Sequence, residues 1–293
     1  PVRHELDEFA EATGNIFWTS DWLTLWWQHV GEGHRLATYV ACEPNGRVDA
    51  VLPLYFVRER PVRILRFVGH TDSVRLGVVS RAPDSSAAAD ALRVLLARLD
   101  FDVFVADHLP LGEAWAARLG GRILRTTPSP VLHFDGRTWE KILASLSANL
   151  RQQIGRRERR LIREHGLTYR LTTDPDRLDE DLDCLFALHD ARWRGTSTFG
   201  GSNQAFHRAF ARRALERGWL RLWIAEADGR PAAAWYGFRF GDAELYYQAG
   251  RDPAFDPTSI GFVLLVHTVR EALASGATEY RFLEGGESYK YRL

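Results

Sequence analysis

From Ala243 to Ser275 the chain reads AELYYQAG, RDPAFDPTSI and GFVLLVHTVREALAS. The first block is rich in aromatic and apolar residues and bounded by Gly250, as a buried strand is. The second carries Asp252-Pro253 and Asp256-Pro257, which break regular pairing. The third reads as a helix. A strand, a loop and a helix start place unpaired backbone N–H groups and about half a positive charge at one point. Thr258 or Ser259 fits the N-cap position, and Gly261 permits close backbone approach. A structural cap and a phosphate-binding turn both satisfy this pattern.

Working outward, two more strands precede this unit. Trp219–Ala227 and Ala232–Phe240 join Ala243–Gly250 through the turns DGRP and GD, forming a three-strand meander. A last strand is expected at Thr278–Leu283. Upstream, Trp139 to Gly166 reads as one helix stopped by Gly166. Leu143, Leu146, Leu150, Ile154 and Leu161 share a face, and Arg156, Arg157, Arg159, Arg160 and Arg163 fall mostly opposite. A strand follows at Leu167–Thr173. A helix starts at Asp174-Pro175 and runs through Leu182, Leu185, Leu188 and His189 to Trp193, and another spans Asn203 to Gly218.

The first half alternates strands and helices as well. Ser20 or Asp21 can cap a helix carrying Leu23, Trp26, Trp27 and Val30. Arg35–Cys42 and Val48–Arg58 form a hairpin around EPNG, and short apolar runs lie at Ile64–Val68 and Leu76–Val79. Ser85–Leu99 and Leu111–Leu119 read as helices, Phe101–Ala106 and Val131–Phe134 as strands. The pattern is α/β (α+β). The 293 residues suit two domains, with the linker placed at Asp135-Gly136 and the domains at 1–136 and 137–293.

Residues 1–139 hold 15 basic and 17 acidic side chains and the remainder 23 and 21, so neither half is a general nucleic-acid binder by charge. Cys42 and Cys184 are far apart and lack metal-ligand spacing, which fits buried thiols in a reducing, cytoplasmic setting, and no metal is expected. No apolar run approaches the roughly 20 residues of a membrane span.

From Ser145 to Lys290 the chain resembles the FemAB-related branch of the GNAT superfamily, the BioF2-like or CelD-like acetyltransferases. SLSANLRQQIGRRERRLIREHG resembles the basic leading helix of that family, and LFALHDARW its Leu-x-x-Leu-His-x-x-Arg-Trp helix. RGWLRLWIAEADGRPAAAWYGFRFGDAELYYQAGRDPAF resembles its strand meander. SIGFVLLVHTVREALASGATEYRFLEGGESYK resembles its cofactor helix, last strand and Tyr-Lys ending. One departure is Arg281 where the family has an acidic residue, with Glu284 where it has a basic one.

The resemblance implies tandem GNAT-like folds, mixed sheets flanked by helices, the first one degenerate. It implies an N-acyltransferase that moves an acyl group, acetyl first among them, from acyl-CoA to an amine of a small-molecule, sugar- or amino-acid-derived acceptor. Two alternatives stay open: aminoacyl transfer from aminoacyl-tRNA, as in FemX-type relatives, and a non-catalytic GNAT-like binding module. Direct attack of an amine on a thioester needs a base, an oxyanion donor and an acid. By the resemblance, backbone N–H groups at Gln248, Ala249 and Gly250 polarise the carbonyl. The turn Ser259, Ile260, Gly261, Phe262 and Val263 holds a pyrophosphate. Glu284 or Glu287 is the base, and Tyr289 or Tyr247 supplies a proton. His189, Arg192 and Trp193 face the acceptor, along with Lys290, one of only two lysines; each also reads as an ordinary packed or surface side chain. The arginines between 151 and 163 fit either a tRNA contact or a solvated helix face paired with Glu158 and Glu164.

Overall fold

Pro53 divides the first half of the chain. The expected single strand over Val48–Arg58 is two, because proline offers no N–H to a ladder. In the computed structural model, which describes residues 2–57, 61–82, 86–110, 115–193 and 198–293, the two pieces enter different sheets.

The chain forms two units, Pro1–Thr126 and Thr127–Leu293. The first begins with helices α1 (Val2–Thr13) and α2 (Ser20–Val30). The cap of α2 is Thr19, not the expected Ser20 or Asp21: its Oγ1 accepts from the Trp22 N–H at 3.3 Å, while Asp7 takes the Ser20 N–H. Strands β1 (Arg35–Leu36), β2 (Tyr39–Cys42), β3 (Val48–Leu52), β4 (Leu54–Val57), β5 (Ile64–Phe67) and β6 (Val79–Ser80) follow, then α3 (Ser86–Leu96), β7 (Val103–Val105) and α4 (Trp115–Leu119). One sheet has the order β1-β4-β5-β7 and the other β2-β3-β6. Arg58, Ser85 and residues 111–114, which the sequence assigned to element ends, lie outside the described residues. Trp22 and Trp26 are fully buried, and their indole N–H groups bond Ser73 Oγ at 2.9 Å and Asp72 Oδ2 at 2.7 Å.

The second unit carries the elements read from the sequence, with two corrections. The boundary lies earlier than residue 136, because β8 (Val131–His133) pairs with the last strand, β13 (Glu279–Arg281). The long helix from Trp139 is two: α5 (Trp139–Ser145) and α6 (Ala148–His165). Leu146 leaves the helical region at ψ 158°, and the Ser147 hydroxyl accepts from the Leu150 N–H at 3.3 Å, so a mid-run serine starts a new helix. Gly166, at φ +59°, ends it as expected.

Then come β9 (Thr168–Leu171), α7 (Leu178–Trp193), α8 (Ser202–Glu216), β10 (Leu220–Ala227), β11 (Arg230–Phe240), β12 (Ala243–Arg251) and α9 (Ile260–Ala274). The sheet order is β8-β13-β12-β11-β10-β9, and β12–β13 is its parallel pair. Central β11 is buried from Ala232 to Phe238, which explains its continuous apolar run. Consecutive side chains leave on opposite faces. Trp235 packs with α9 and Leu161 of α6, whereas Tyr236 meets Phe199 and His207 of the α7–α8 side. Each large side chain fully buried there contributes roughly 1.5–3 kcal/mol.

Candidate active site

Strands β12 and β13 pair at three positions only: Ala243 with Glu279, Glu244 with Tyr280 and Leu245 with Arg281. Then they part. Past Leu245, β12 stays bonded to β11, with a register shift that leaves Tyr247 as an extra residue. Past Arg281, the other chain stays with the segment before β8: Phe282 N–H bonds Pro130 O at 2.9 Å and Gly285 N–H bonds Pro128 O at 3.0 Å. Each strand is held by its outer neighbour, and between them opens a cleft of about 240 Å³. Leu283, at the exit of β13, has φ +53°. That left-handed conformation costs a non-glycine residue about 1 kcal/mol, a strain that concentrates at functional sites.

The α7 wall of the cleft carries His189, Arg192 and Trp193. They reach it because α7 lies backbone to backbone on β12: a Cβ at Gly250 would stand 2.8 Å from His189 Cα. His189 Nε2 meets Gln248 Oε1 at 3.3 Å, and Arg192 Nη1 donates to Ala249 O at 3.1 Å. Burial pushes the His189 pKa down to about 4, so the ring is neutral. The Arg192 guanidinium lies 4.9 Å from the Trp193 ring centre.

The opposite wall is the loop after β13, bringing Glu284, Glu287, Tyr289 and Lys290 to the same cleft. Lys290 is 5% exposed. Its ammonium donates to Glu284 O and pairs with Glu287 Oε2 at 3.1 Å. Gly285 sits at φ +121°, and a Cβ there would stand 2.8 Å from Lys290 Nζ, so only glycine lets the loop close on this pair. Burial works against the Glu287 charge. Even so, its own N–H, the Lys290 ammonium and the Arg192 charge hold its carboxyl below the usual range. It is a carboxylate at neutral pH.

The floor is β12 itself. Gln248 and Tyr247, both singled out from the sequence, line the cleft together with Tyr246 and Phe282, which were not. Tyr246 and Tyr247 leave on opposite faces. Tyr246 stacks on Trp235 at 5.7 Å and accepts from the Tyr289 hydroxyl at 3.3 Å. Tyr247 OH lies 3.5 Å from His207 Nε2. The Tyr289 pKa is raised by burial and by Tyr246, so its proton stays on.

Ala249, Gly250 and the turn Ser259–Val263 do not line this cleft; Ala249 and Gly250 lie farther along β12. A Cβ at Gly261 would lie 3.3 Å from Arg251 Cδ, so α9 begins beside the end of β12. Ser259 holds the N-cap position at φ +61° but its side chain does not cap the helix. Phe262 and Val263 donate to Ser259 O. Among the described residues no group accepts from the N–H of Ile260 or Gly261. Of the two expected caps, Thr258 instead donates its hydroxyl to Phe255 O. Three arginines gather there: Arg251, paired with Asp256 at 2.5 Å, and Arg157 and Arg292, each within 6 Å of the Phe262 ring, at 5.9 and 5.7 Å. The first half of α6 could have flagged Arg157; nothing local marks Arg251 or Arg292.

Residues 148–291 match the family "Acetyltransferase (GNAT) domain". That stretch carries a GNAT domain, and the chain has a fold of the GNAT type. It is similar to a structure described as FemX, at 14% identity and TM-score 0.62, over 97% of this chain and 87% of that one. It is also similar to the C-terminal domain of a putative lysylphosphatidylglycerol synthetase from Agrobacterium fabrum, at 13% identity and TM-score 0.55, over 95% and 77%. A third is a conserved protein of unknown function from Bacteroides thetaiotaomicron, at 14% and TM-score 0.57, over 99% and 90%. No curated protein matches the chain. No described helix is long and apolar enough to cross a membrane.

Proposed function

We propose that the protein is an N-acyltransferase that moves an acyl group, acetyl in the simplest case, from acyl-CoA to an amine of a small-molecule, sugar- or amino-acid-derived acceptor. The observation that carries this reading is the parting of β12 from β13. It opens a cleft with carboxylates, phenols and a buried ammonium along β12, and a helix start that has unengaged N–H groups lies beside the end of the same strand. In this reading the turn Ser259–Val263 takes the donor pyrophosphate through the unengaged N–H groups of Ile260 and Gly261, and the arginines beside Phe262 supply charge. A backbone N–H among Gln248, Ala249 and Gly250 polarises the thioester carbonyl. Arg192 bonds Ala249 O, so that carbonyl points away from β11. In an antiparallel strand the N–H of the same residue points the same way, which favours Ala249. Glu284 or Glu287 takes the amine proton, and Tyr289 or Tyr247 returns one to the leaving thiolate. His189, Arg192, Trp193 and Lys290 bound the acceptor.

We assign the first unit as a degenerate GNAT-like domain. Of the two free cysteines, expected to be buried, Cys42 is exposed and Cys184 half-buried; free thiols fit a cytoplasmic setting, and burial pushes the Cys184 thiol up to about 12, leaving it unreactive.

Thermal unfolding with CoA and acetyl-CoA tests the reading. At a hundred times its Kd the donor should add about 2.7 kcal/mol of stability. No shift with either at millimolar concentration counts against CoA as donor. The FemX-type alternative, transfer from aminoacyl-tRNA, draws on Arg156 and Arg159 of α6, which have no acidic partner among the described residues. It predicts tRNA binding that weakens steeply with salt. A non-catalytic module would bind CoA and turn nothing over.

A further inference from the structure

The acyl-transfer reading leaves open which phenol faces the leaving group. We propose that Tyr246, which the family resemblance did not single out, is the catalytic acid, with Tyr289 as its positioning residue. The inference rests on the acyl-transfer reading and goes beyond it in three observations.

The first is the direction of the hydrogen bond. Tyr289 OH donates to Tyr246 OH at 3.3 Å. The Tyr289 proton is therefore committed, and burial holds it on the oxygen. Tyr246 receives that bond, and among the described residues nothing accepts its own proton. A phenol that receives one hydrogen bond while its O–H faces a cleft is set to give that proton away, because the received bond stabilises the phenolate left behind.

The second is the face of the sheet. Tyr246 stacks on Trp235, on the side covered by α9. Tyr247 leaves on the other side, against His207 of α8. A donor anchored at the start of α9 would bring its sulfur along the Tyr246 face. The third is charge. Lys290 Nζ lies 5.9 Å from the Tyr246 ring centre, so a positive charge stands beside the phenol that gives up its proton.

The acceptor amine nitrogen forms a bond to the thioester carbon, and its proton passes to the carboxylate of Glu284 or Glu287. The carbon–sulfur bond breaks, and the thiolate takes the Tyr246 proton to leave as a thiol. The Tyr289 O–H and the Lys290 charge stabilise the Tyr246 phenolate until it is reprotonated from solvent, and the carboxylate loses its proton to solvent. The products are one amide and one thiol.

The test compares two donors with hydroxylamine as the amine: acetyl-CoA, whose alkyl thiolate needs a proton, and S-acetyl-4-nitrothiophenol, whose thiolate leaves without one. Y246F should lose about 100-fold in kcat with acetyl-CoA and less than about threefold with the aryl thioester. Y289F should fall between wild type and Y246F with acetyl-CoA and likewise spare the aryl donor. Equal losses with both donors would mean that Tyr246 only supports the cleft, and no loss would mean that it takes no part; either outcome overturns the inference while leaving acyl transfer standing. A wild-type protein that transfers from neither donor removes the acyl-transfer reading and the inference with it.

Discussion

Gly250 and His189 meet backbone to backbone: a Cβ on Gly250 would stand 2.8 Å from His189 Cα and 2.5 Å from the Leu188 carbonyl carbon. This contact sets α7 at the height where His189 reaches Gln248 and Arg192 reaches Ala249. Gly250→Ala must therefore push α7 off β12, because neither backbone can yield alone. Overpacking of this kind costs about 1–3 kcal/mol. Urea unfolding should show that loss, and transfer activity should fall with it through the displaced Arg192. A variant as stable as wild type would mean that α7 sits loosely enough on β12 to admit a methyl group.

Lys290 and Glu287 form a pair of unequal burial, with side-chain exposures of 4% and 48%. The cost of losing Glu287 falls on the buried ammonium, which keeps only the Glu284 carbonyl. Since water screens the Glu287 side, Glu287→Gln should cost about 1–2 kcal/mol, below the range for a fully buried pair. In the Lys290→Met background the same substitution should cost almost nothing. A double-mutant cycle by chemical denaturation reads this coupling directly. Replacing Glu284 and Glu287 together with Gln should abolish turnover; full activity in that variant removes both carboxylates from the chemistry.

Much of this site was legible before the structure. The strand, loop and helix at Ala243–Ser275 placed the helix start, and the residues assigned to catalysis and the acceptor converge on one cleft. What the sequence hid was set by long-range pairing. The parting of β12 from β13 depends on residues 128–130 drawing Phe282 and Gly285 away, and no periodicity reports a contact that distant. The same pairing moved the domain boundary, since β8 looked like the close of the first unit and is an edge of the second sheet. Nothing local marks Tyr246, because period-two alternation puts it and Tyr247 on opposite faces of the strand but does not say where the sheet opens. The break at Ser147 was a local signal, a capping residue inside an otherwise unbroken helical pattern.

His267 makes stability depend on pH. It lies flat on Tyr169 at 3.7 Å, edge-on to Trp223, and takes a hydrogen bond from Arg270 at 3.1 Å. Burial first, then the Arg270 charge, lowers its pKa to about 4. The unfolded chain binds this proton below its ordinary value of 6.5, while the folded protein refuses it until about 4. Stability is therefore complete above 6.5 and declines as pH falls through the interval between the two values. At pH 5 the deficit is about 2 kcal/mol for this ring. His189 adds a similar slope. His267→Gln should flatten the dependence of the unfolding free energy between pH 7 and 5 by that amount. An unchanged slope would show that the ring is charged in the fold.

Arg157 and Arg292 reach Phe262 from opposite ends of the domain, one on α6 and one just before the last residue. Neither is required for packing: among the described residues neither makes an ion pair, and both guanidinium groups lie beside the first turn of α9, whose leading N–H groups are unengaged. If donor phosphates sit there, the two charges bind ground state and transition state alike. The expected signature is a change in KM with kcat preserved. Replacing both with Gln should raise the KM for acetyl-CoA by about tenfold to a hundredfold, the value of one or two charge-assisted bonds. Rising salt should erase the difference between wild type and variant, since exposed charges are screened within about 8 Å at physiological ionic strength. Testing dephospho-CoA thioesters then locates the contact. A smaller penalty for the variant with that donor assigns the arginines to the terminal phosphate, and an equal penalty assigns them to the pyrophosphate. A fall in kcat at constant KM would place them with the chemistry and leave the α9 turn without its role in donor binding.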